Sequence, residues 1–238
     1  SDGSQADYDL VVGADGIRSA VRELAFGANP PRYAGYTCWR GVVKCPAGVD
    51  RQIEMWGRGR RFGLVPIGNG LLYFFATKNA PPAEPDSLAG RVERFRAGFA
   101  AFGGHVPDVL AQLERPDGLL RNDLEEVVQW PWARDRVVLT GDAAHASTPN
   151  MGQGAAMALE DAVVLADELA KRPLAEALPA WVARRRRRAL FIQTQSRRIG
   201  WMGQLEHPLA CALRDLAVRA LPDRLAARTL DRLLAQEV

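Results

Sequence analysis

The amino-acid sequence predicts an α/β protein with an antiparallel-sheet domain inserted into it and helices at its carboxyl end. Three observations predict this class. Two short apolar runs, Leu10-Val11-Val12 and Val137-Val138-Leu139, each run into a glycine-containing turn and then a helical pattern. Between them, residues 33–77 are rich in aromatic and β-branched residues and carry an Asn-Gly turn. After the second run the apolar residues recur with a period close to 3.6.

Length and composition narrow the function classes. The 238 residues suffice for one large or two modest domains, and 47% hydrophobic with 25% charged residues is ordinary for a globular protein. Cys38, Cys45 and Cys211 have no ligand-like spacing, which argues against a disulfide framework or a zinc site, so no metal is expected and a reducing, cytoplasmic setting is. No apolar stretch approaches the roughly 20 residues needed to span a membrane, and no signal-peptide pattern is present. A net charge of +3 permits anionic ligands without demanding nucleic acid.

Each element can be justified in order. Leu10 to Val12 reads as a buried strand, Gly13 to Gly16 as the turn out of it, and Ile17 to about Phe26 as a helix with Val21, Leu24 and Ala25 inward. Tyr36 to Lys44, Ile53 to Trp56, Arg61 to Ile67 and Leu71 to Thr77 are candidate strands, with Gly68-Asn69-Gly70 as the hairpin turn between the last two. Ala80 to Asp86 is a proline-rich connection, followed by helices over Leu88 to Phe102 and Val106 to Leu113. Arg121 to Trp132 returns the chain to the strand at Val137. In the helix after Gly154, apolar residues at 155, 158, 159, 162, 163, 165, 166 and 169 form the expected inner stripe, and Glu160, Asp161, Asp167 and Glu168 share one face. Leu174 to about Leu205 should be one long helix. Its run Arg184 to Arg188 steps about 100° per residue and so forms no single stripe, which favours a solvated helix pairing with nearby acids over a nucleic-acid surface. Pro208 and Pro222 delimit two terminal helices, with Leu225, Leu230, Leu233 and Leu234 inward.

The stretch from Arg136 to Ala170 carries the chemistry. Asp142 stands at the carboxyl end of a buried strand, where open α/β sheets bind ligands, and can accept hydrogen bonds from a ligand hydroxyl. Gly152 and Gly154 lack Cβ atoms and admit a flat ring system to the backbone. The helix that follows begins with N–H groups lacking intrahelical partners, suited to an anion or an electron-rich carbonyl. A reduced flavin offers such a group. The competing reading is a βα unit whose glycines only make a tight turn; the ordered run of all these features weighs against it. His105 reads as a surface turn, and His145 as a residue that orders its loop by hydrogen bonds rather than an acid or base.

Gly141-Asp142-Ala143-Ala144-His145, then Pro149, Gly152-Gln153-Gly154 and Leu159-Glu160-Asp161-Ala162, resemble the GD segment of the FAD-dependent aromatic-ring monooxygenases, the single-component class similar to p-hydroxybenzoate hydroxylase. Asp9 through Ser19, with Gly13-Ala14-Asp15-Gly16, resembles the DG segment of the same family. The resemblance implies an FAD/NAD(P)-binding fold of the p-hydroxybenzoate hydroxylase kind. Residues 1–29 and 131–170 would form its FAD side, 30–130 the substrate domain and 171–238 the C-terminal helices. It implies FAD as cofactor, NAD(P)H as co-substrate and hydroxylation of a small aromatic or similar electron-rich molecule through a flavin hydroperoxide. Cofactor contacts would fall to Asp15, Gly16, Arg18, Gly141, Asp142, Pro149, Gly152, Gln153, Gly154 and Ala155. Asp15 could equally be a helix N-cap. Trp39, Arg40 and Phe74 are the candidate substrate contacts, each of which could instead be core or surface.

Two departures from the family stand out. No G-x-G-x-x-G unit precedes Asp9, so the FAD site is expected to be incomplete without it, whether the unit lies on a separate N-terminal half, has been cleaved away or is absent, and the Leu10 strand to present an unpaired or intermolecularly paired edge. Ala156 stands where many relatives carry asparagine. A same-fold flavin reductase or halogenase, and an inactive fragment, remain as alternatives.

Overall fold

A computed structural model describes residues 3–220; the last expected helix, with Leu225 to Leu234, lies outside the described residues. In chain order the elements are β1 (Val11–Gly13), α1 (Ala20–Phe26), β2 (Arg32–Lys44), β3 (Ile53–Trp56), β4 (Arg60–Gly68), β5 (Leu71–Asn79), α2 (Arg91–Phe99) and α3 (Val106–Ala111). They continue with β6 (Leu120–Glu126), β7 (Ala133–Arg134), β8 (Val137–Leu139), α4 (Asp142–His145), α5 (Gly154–Lys171), α6 (Leu174–Gly203) and α7 (Pro208–Ala220). Two compact units result. Among the described residues one takes 3–34 and 125–199, and the other takes 35–124 and 200–220.

The first unit is built on a three-stranded sheet of order β1-β8-β7. β1 and β8 are parallel, with Gly13 opposite Leu139. A Cβ on Gly13 would lie 2.7 Å from the Leu139 side chain and 2.9 Å from that of Val21, so glycine is what lets strand and helix α1 approach. β1 is an end strand, paired on one side only among the described residues. The expectation of a buried β1 fails: Val11 and Val12 are exposed, because they sit on that end strand with none of the described residues covering them. Helix α1 also starts three residues later than expected, at Ala20, where the Ser19 hydroxyl accepts from the Arg22 N–H at 2.9 Å, and its Leu24 faces solvent rather than the core.

The second unit is a five-stranded sheet of order β3-β4-β5-β2-β6. The hairpin between β4 and β5 closes on Asn69 (φ 51°) and Gly70 (φ 70°), both left-handed, as a two-residue turn matching the strand twist requires. One face carries Trp39, Val43, Phe62, Leu64, Leu72, Phe74 and Ala76, packed against α2 and α3 through Val92, Phe95, Phe99, Val106 and Val109. Phe62 and Phe74 stack there at 5.7 Å. The other face takes the alternate residues, among them Cys38, Arg40, Gly63, Tyr73 and Phe75. β6, read from the sequence only as a returning connection, is the sixth-numbered strand and closes the sheet beside β2, with the Thr37 hydroxyl donating to the Asn122 carbonyl at 3.1 Å.

Helices α5 and α6 revise the expected amphipathicity. The inward residues of α5 are Met157, Asp161, Val164, Leu165 and Glu168, whereas Leu159 and Val163 of the expected inner stripe are exposed. The acidic face turns inward because α6 meets it with arginines. Arg184 pairs with Glu168 at 2.8 Å, Arg185 with Glu160 at 2.8 Å, and Arg188 with Glu160 at 2.6 Å. The arginine run therefore does pair with acids, but Arg185 and Arg188 are buried rather than solvated.

Two glycines on either face of β5 set a steric constraint. Gly41 lies opposite Phe74 and Gly63 opposite Phe75 across the strands. A Cβ on Gly63 would stand 2.1 Å from the Phe75 ring. Gly63→Ala is expected to cost about 1–3 kcal/mol through this overpacking, read as a lowered urea midpoint. Adding Phe75→Leu should restore most of the loss; a neutral Gly63→Ala would show that the ring does not lie over the strand.

Candidate functional site

The site is assembled at the carboxyl ends of β1 and β8. The two strands are parallel neighbours, and the Thr140 N–H donates to the Gly13 carbonyl at 3.0 Å, so Asp15 and Asp142 leave the same end of the sheet. Arg22, which the sequence did not single out, ties the two segments together. Its buried guanidinium donates to the Ala143 carbonyl at 2.9 Å and to the Ile17 carbonyl at 2.7 Å.

Asp142 opens α4 with its side chain exposed and makes no hydrogen bond or ion pair among the described residues. Gly141 before it has φ 57°, and a Cβ there would sit 3.1 Å from that of Ala158, so the turn demands glycine on both counts. Gly152, at φ 63°, and Gly154 have nothing within 4 Å of where a Cβ would be. α5 begins at Gly154 with no side-chain cap, leaving its first N–H groups to an outside acceptor, and Ala155 in that first turn is exposed. Pro149 is exposed and opens a short 3₁₀ turn, and Gln153 is half-buried. An unpartnered carboxylate, bare backbone and an uncapped helix start are a donor and acceptor set that fits a flavin, and the open space at Gly152 and Gly154 leaves room for a ring. With Ala156 in the next position, no side-chain amide is offered from there.

Asp15 is committed differently. Its carboxylate accepts from the Val21 N–H at 3.1 Å, and the Ser19 hydroxyl also bonds it. Burial alone would raise its pKa, but these hydrogen bonds outweigh it and hold the group below the ordinary carboxylate value. Ser19 is the N-cap of α1, so Asp15 reinforces that cap rather than being it. Arg18 is exposed and paired with Glu125 at 2.9 Å, and Gly16 supplies a left-handed turn residue at φ 82°.

A buried carboxylate fixes the geometry. Asp161 Oδ2 accepts the Gly141 N–H at 2.8 Å and stands 2.6 Å from His145 Nε2, while Oδ1 accepts from Arg185 Nε at 2.7 Å. The Asp161 side chain is fully buried, which pushes its pKa up, yet the bonds from His145, Arg185 and Gly141 prevail and hold it below the ordinary value. His145 orders the loop, as expected, with its ring 5.1 Å from that of Trp132. The loop beyond is gripped by α6. Gln193 Nε2 donates to the Ala146 carbonyl at 3.0 Å, the Ser196 hydroxyl donates to the Thr148 carbonyl, and the Thr148 and Ser196 hydroxyls are 3.0 Å apart.

The expected substrate contacts separate. Phe74 is fully buried and stacked in the core, and Trp39 packs at 5.8 Å from Phe95 and 5.9 Å from Phe99 on the same helix-covered face. Both are core residues, a correction that follows from which side of β2 and β5 the helices cover. Arg40 lies on the opposite face, half-buried, beside Tyr73 and Cys38. Burial raises the pKa of both groups, and the positive charge of Arg40 only moderates that rise. That face also carries Tyr73 and Phe75, which the sequence did not distinguish from their neighbours.

Removing the buried carboxylate with Asp161→Ala is expected to cost about 3–5 kcal/mol, since Arg185 would be left buried and uncompensated. Urea denaturation reads this, and a loss below about 1 kcal/mol would reject the central role of Asp161. The same group predicts acid lability. Its folded pKa is depressed, as are those of Glu126 and Glu160, so the stability they contribute is full above an unfolded carboxylate pKa of about 4 and drains as pH falls below it. Asp161→Asn should flatten that fall in urea midpoints between pH 7 and pH 3; an unchanged profile would place the acid sensitivity elsewhere.

Comparisons with known proteins bear on the family. Residues 111–190 match the family described as FAD binding domain. The 2-heptyl-3-hydroxy-4(1H)-quinolone synthase of Pseudomonas aeruginosa is 43% identical over 98% of this chain and 62% of its own length. The aurachin C monooxygenase/isomerase of Stigmatella aurantiaca is 43% identical over 96% of this chain and 61% of its own length. Klebsiella pneumoniae HpxO, solved with FAD and uric acid, superimposes with a TM-score of 0.88 at 30% identity over 98% of this chain and 62% of that one. The chain thus spans a little over 60% of the length of the relatives it matches. Over almost its whole length the chain is similar to part of the FAD-dependent aromatic-ring monooxygenases of the p-hydroxybenzoate hydroxylase type, the family that its motifs resemble.

Proposed function

We propose that this chain forms the isoalloxazine side of the FAD site and the substrate domain of a monooxygenase that hydroxylates an aromatic or similarly electron-rich small molecule with NAD(P)H and O2, in the cytoplasm. The observation that carries the reading is the uncapped start of α5, flanked by the open positions of Gly152 and Gly154 and adjoined by the unpartnered carboxylate of Asp142. Bound FAD would supply the redox and oxygen chemistry. In this reading Asp142 accepts a cofactor hydroxyl, Gly152 and Gly154 admit the ring edge, and the first N–H groups of α5, from Gly154 and Ala155, stabilise negative charge on a ring carbonyl. Gly141, Pro149 and Gln153 shape the turn, and Asp15, Gly16 and Arg18 line the approach to the pyrophosphate.

The substrate in this reading meets the face of the sheet that carries Arg40, Tyr73 and Phe75, where an aromatic wall and a cation suit a phenolate or an acidic heteroaromatic ring. The relative named for an alkyl quinolone makes quinolones the first substrates to assay. A partner segment carrying the G-x-G-x-x-G unit would complete the site for the adenine dinucleotide end, and β1 offers the unpaired strand against which it would add. A flavin reductase or halogenase of the same fold would share the cradle and differ in the fate of oxygen.

Two measurements test the proposal on the chain joined to such a dinucleotide-binding segment. Incorporation of label from 18O2 into a quinolone product is expected; NAD(P)H oxidation that releases only peroxide, with no oxygenated product from any aromatic substrate, would favour the reductase. Asp142→Ala is expected to weaken FAD binding by about 1.5–3 kcal/mol, the worth of a hydrogen bond to a charged group. Unchanged FAD affinity by fluorescence titration would remove Asp142 from the cofactor site.

A further inference from the structure

A cavity lies wholly within the sheet unit, between the β3–β4 edge of the sheet and the segment that follows α2. Its volume of about 580 Å³ is in the range of small-molecule sites. Its wall is divided chemically. Met55, Trp56 and Phe102 form an apolar side, and Arg58, Arg60 and Lys78 supply cations. Among the described lining residues the acid is Glu206, whose carboxylate lies against Gly59. Arg60 and Lys78 are directly opposite each other across β4 and β5, in phase with Phe62 and Ala76 and therefore on the face away from Arg40.

Like charges placed directly opposite across two strands repel, and here little offsets them. Glu84 stands 3.5 Å from Lys78 but is shared with Arg121 at 3.3 Å. Arg60 spends one N–H on the Gly98 carbonyl. Arg58 has no hydrogen bond or ion pair among the described residues. A smaller adjoining cavity of about 200 Å³ shares Arg60, Lys78 and Gly98 and is lined by Trp39; its acids, Glu84 and Asp86, are engaged by Arg121 and by Arg91 and Arg94. The Trp39 side chain is 8% exposed, and its indole N–H is buried without an acceptor in the described residues. A buried donor left unmet is unfavourable, and an oxygen acceptor brought into this region would satisfy it.

We propose that this cavity binds a small aromatic carboxylic acid, its carboxylate between Arg60 and Lys78 and its ring against Met55 and Phe102. An anion there removes the repulsion between the two cations and brings an acceptor towards Trp39. The apolar wall selects an aromatic body over a bare inorganic anion. Because Arg60 and Lys78 share the Phe62–Ala76 side of the sheet and Phe102 packs on Phe62 there, occupation of the site does not depend on FAD and its test stands apart from that of the proposed hydroxylation.

The test is a fluorescence titration of the 238-residue chain with 2-naphthoate, with 2-naphthalenemethanol as the uncharged counterpart. Saturable one-site binding of the acid is expected, with the alcohol at least tenfold weaker. Lys78→Glu and Arg58→Glu should each weaken the acid tenfold or more, while Arg40→Glu, on the other face, should change it less than twofold. Arg58 is exposed, so its reversal reads the site even if Lys78→Glu disturbs the fold, which circular dichroism melting would reveal. Equal binding of acid and alcohol, loss of binding in Arg40→Glu with none in Arg58→Glu, or no saturable binding at all would overturn the proposal.

Discussion

One buried carboxylate holds the candidate site in shape. Asp161 has two oxygens and spends them on a main-chain N–H, an imidazole and a guanidinium contributed by three different parts of the first unit. Each of these partners has a consequence. The bond to Gly141 fixes the turn that presents Asp142, the contact with His145 orders the end of α4, and the pair with Arg185 fastens α5 to α6. Trp181 adds a further restraint by donating its indole N–H to the Asp161 carbonyl at 3.0 Å. A charge taken this far out of water is tolerated only when its hydrogen-bonding capacity is filled, and here it is. The start of α5 is thus held at a set distance from the end of β8 without any covalent constraint.

This arrangement explains why α5 is an unusual helix. A helix on a protein surface normally buries its apolar stripe. Here the buried stripe mixes Met157, Val164 and Leu165 with Asp161 and Glu168, because the facing helix brings Arg184, Arg185 and Arg188. Charge pairing across the helix interface is stronger for being shielded from water, and it specifies the partner helix more narrowly than an apolar contact would. The outer side keeps Leu159 and Val163 in solvent.

What the sequence made legible was local. The strands β3, β4 and β5 are short apolar and aromatic runs bounded by turn residues, and Asn69-Gly70 could adopt few conformations other than the one observed. The strand, Asp142, the glycine loop and the helix start follow one another within a few residues, so their proximity needed no tertiary knowledge. What stayed hidden depended on partners remote in the chain. Nothing near Asp161 reveals that Arg185 will meet it, and apolar periodicity pointed to the wrong side of α5 for that reason. The assignment of Phe74 and Trp39 to substrate failed because both faces of β2 and β5 carry apolar residues, and only the position of α2 and α3 decides which face is core. β6, with the polar sequence LRNDLEE, is a strand because β2 offers it an edge to pair with, a case of tertiary context overriding propensity.

The tethers of the loop have one more implication. Arg22, Asp161, Gln193 and Ser196 all hold it by peptide groups: the Ala143, Ala146 and Thr148 carbonyls and the Gly141 amide. Apart from the His145 and Thr148 side chains, which are also held, a clamp that grasps the polypeptide spine is indifferent to what projects from it. The side chain at a position such as Ser147 can therefore change without altering the path of the loop, which separates the choice of side chain there from the upkeep of the scaffold.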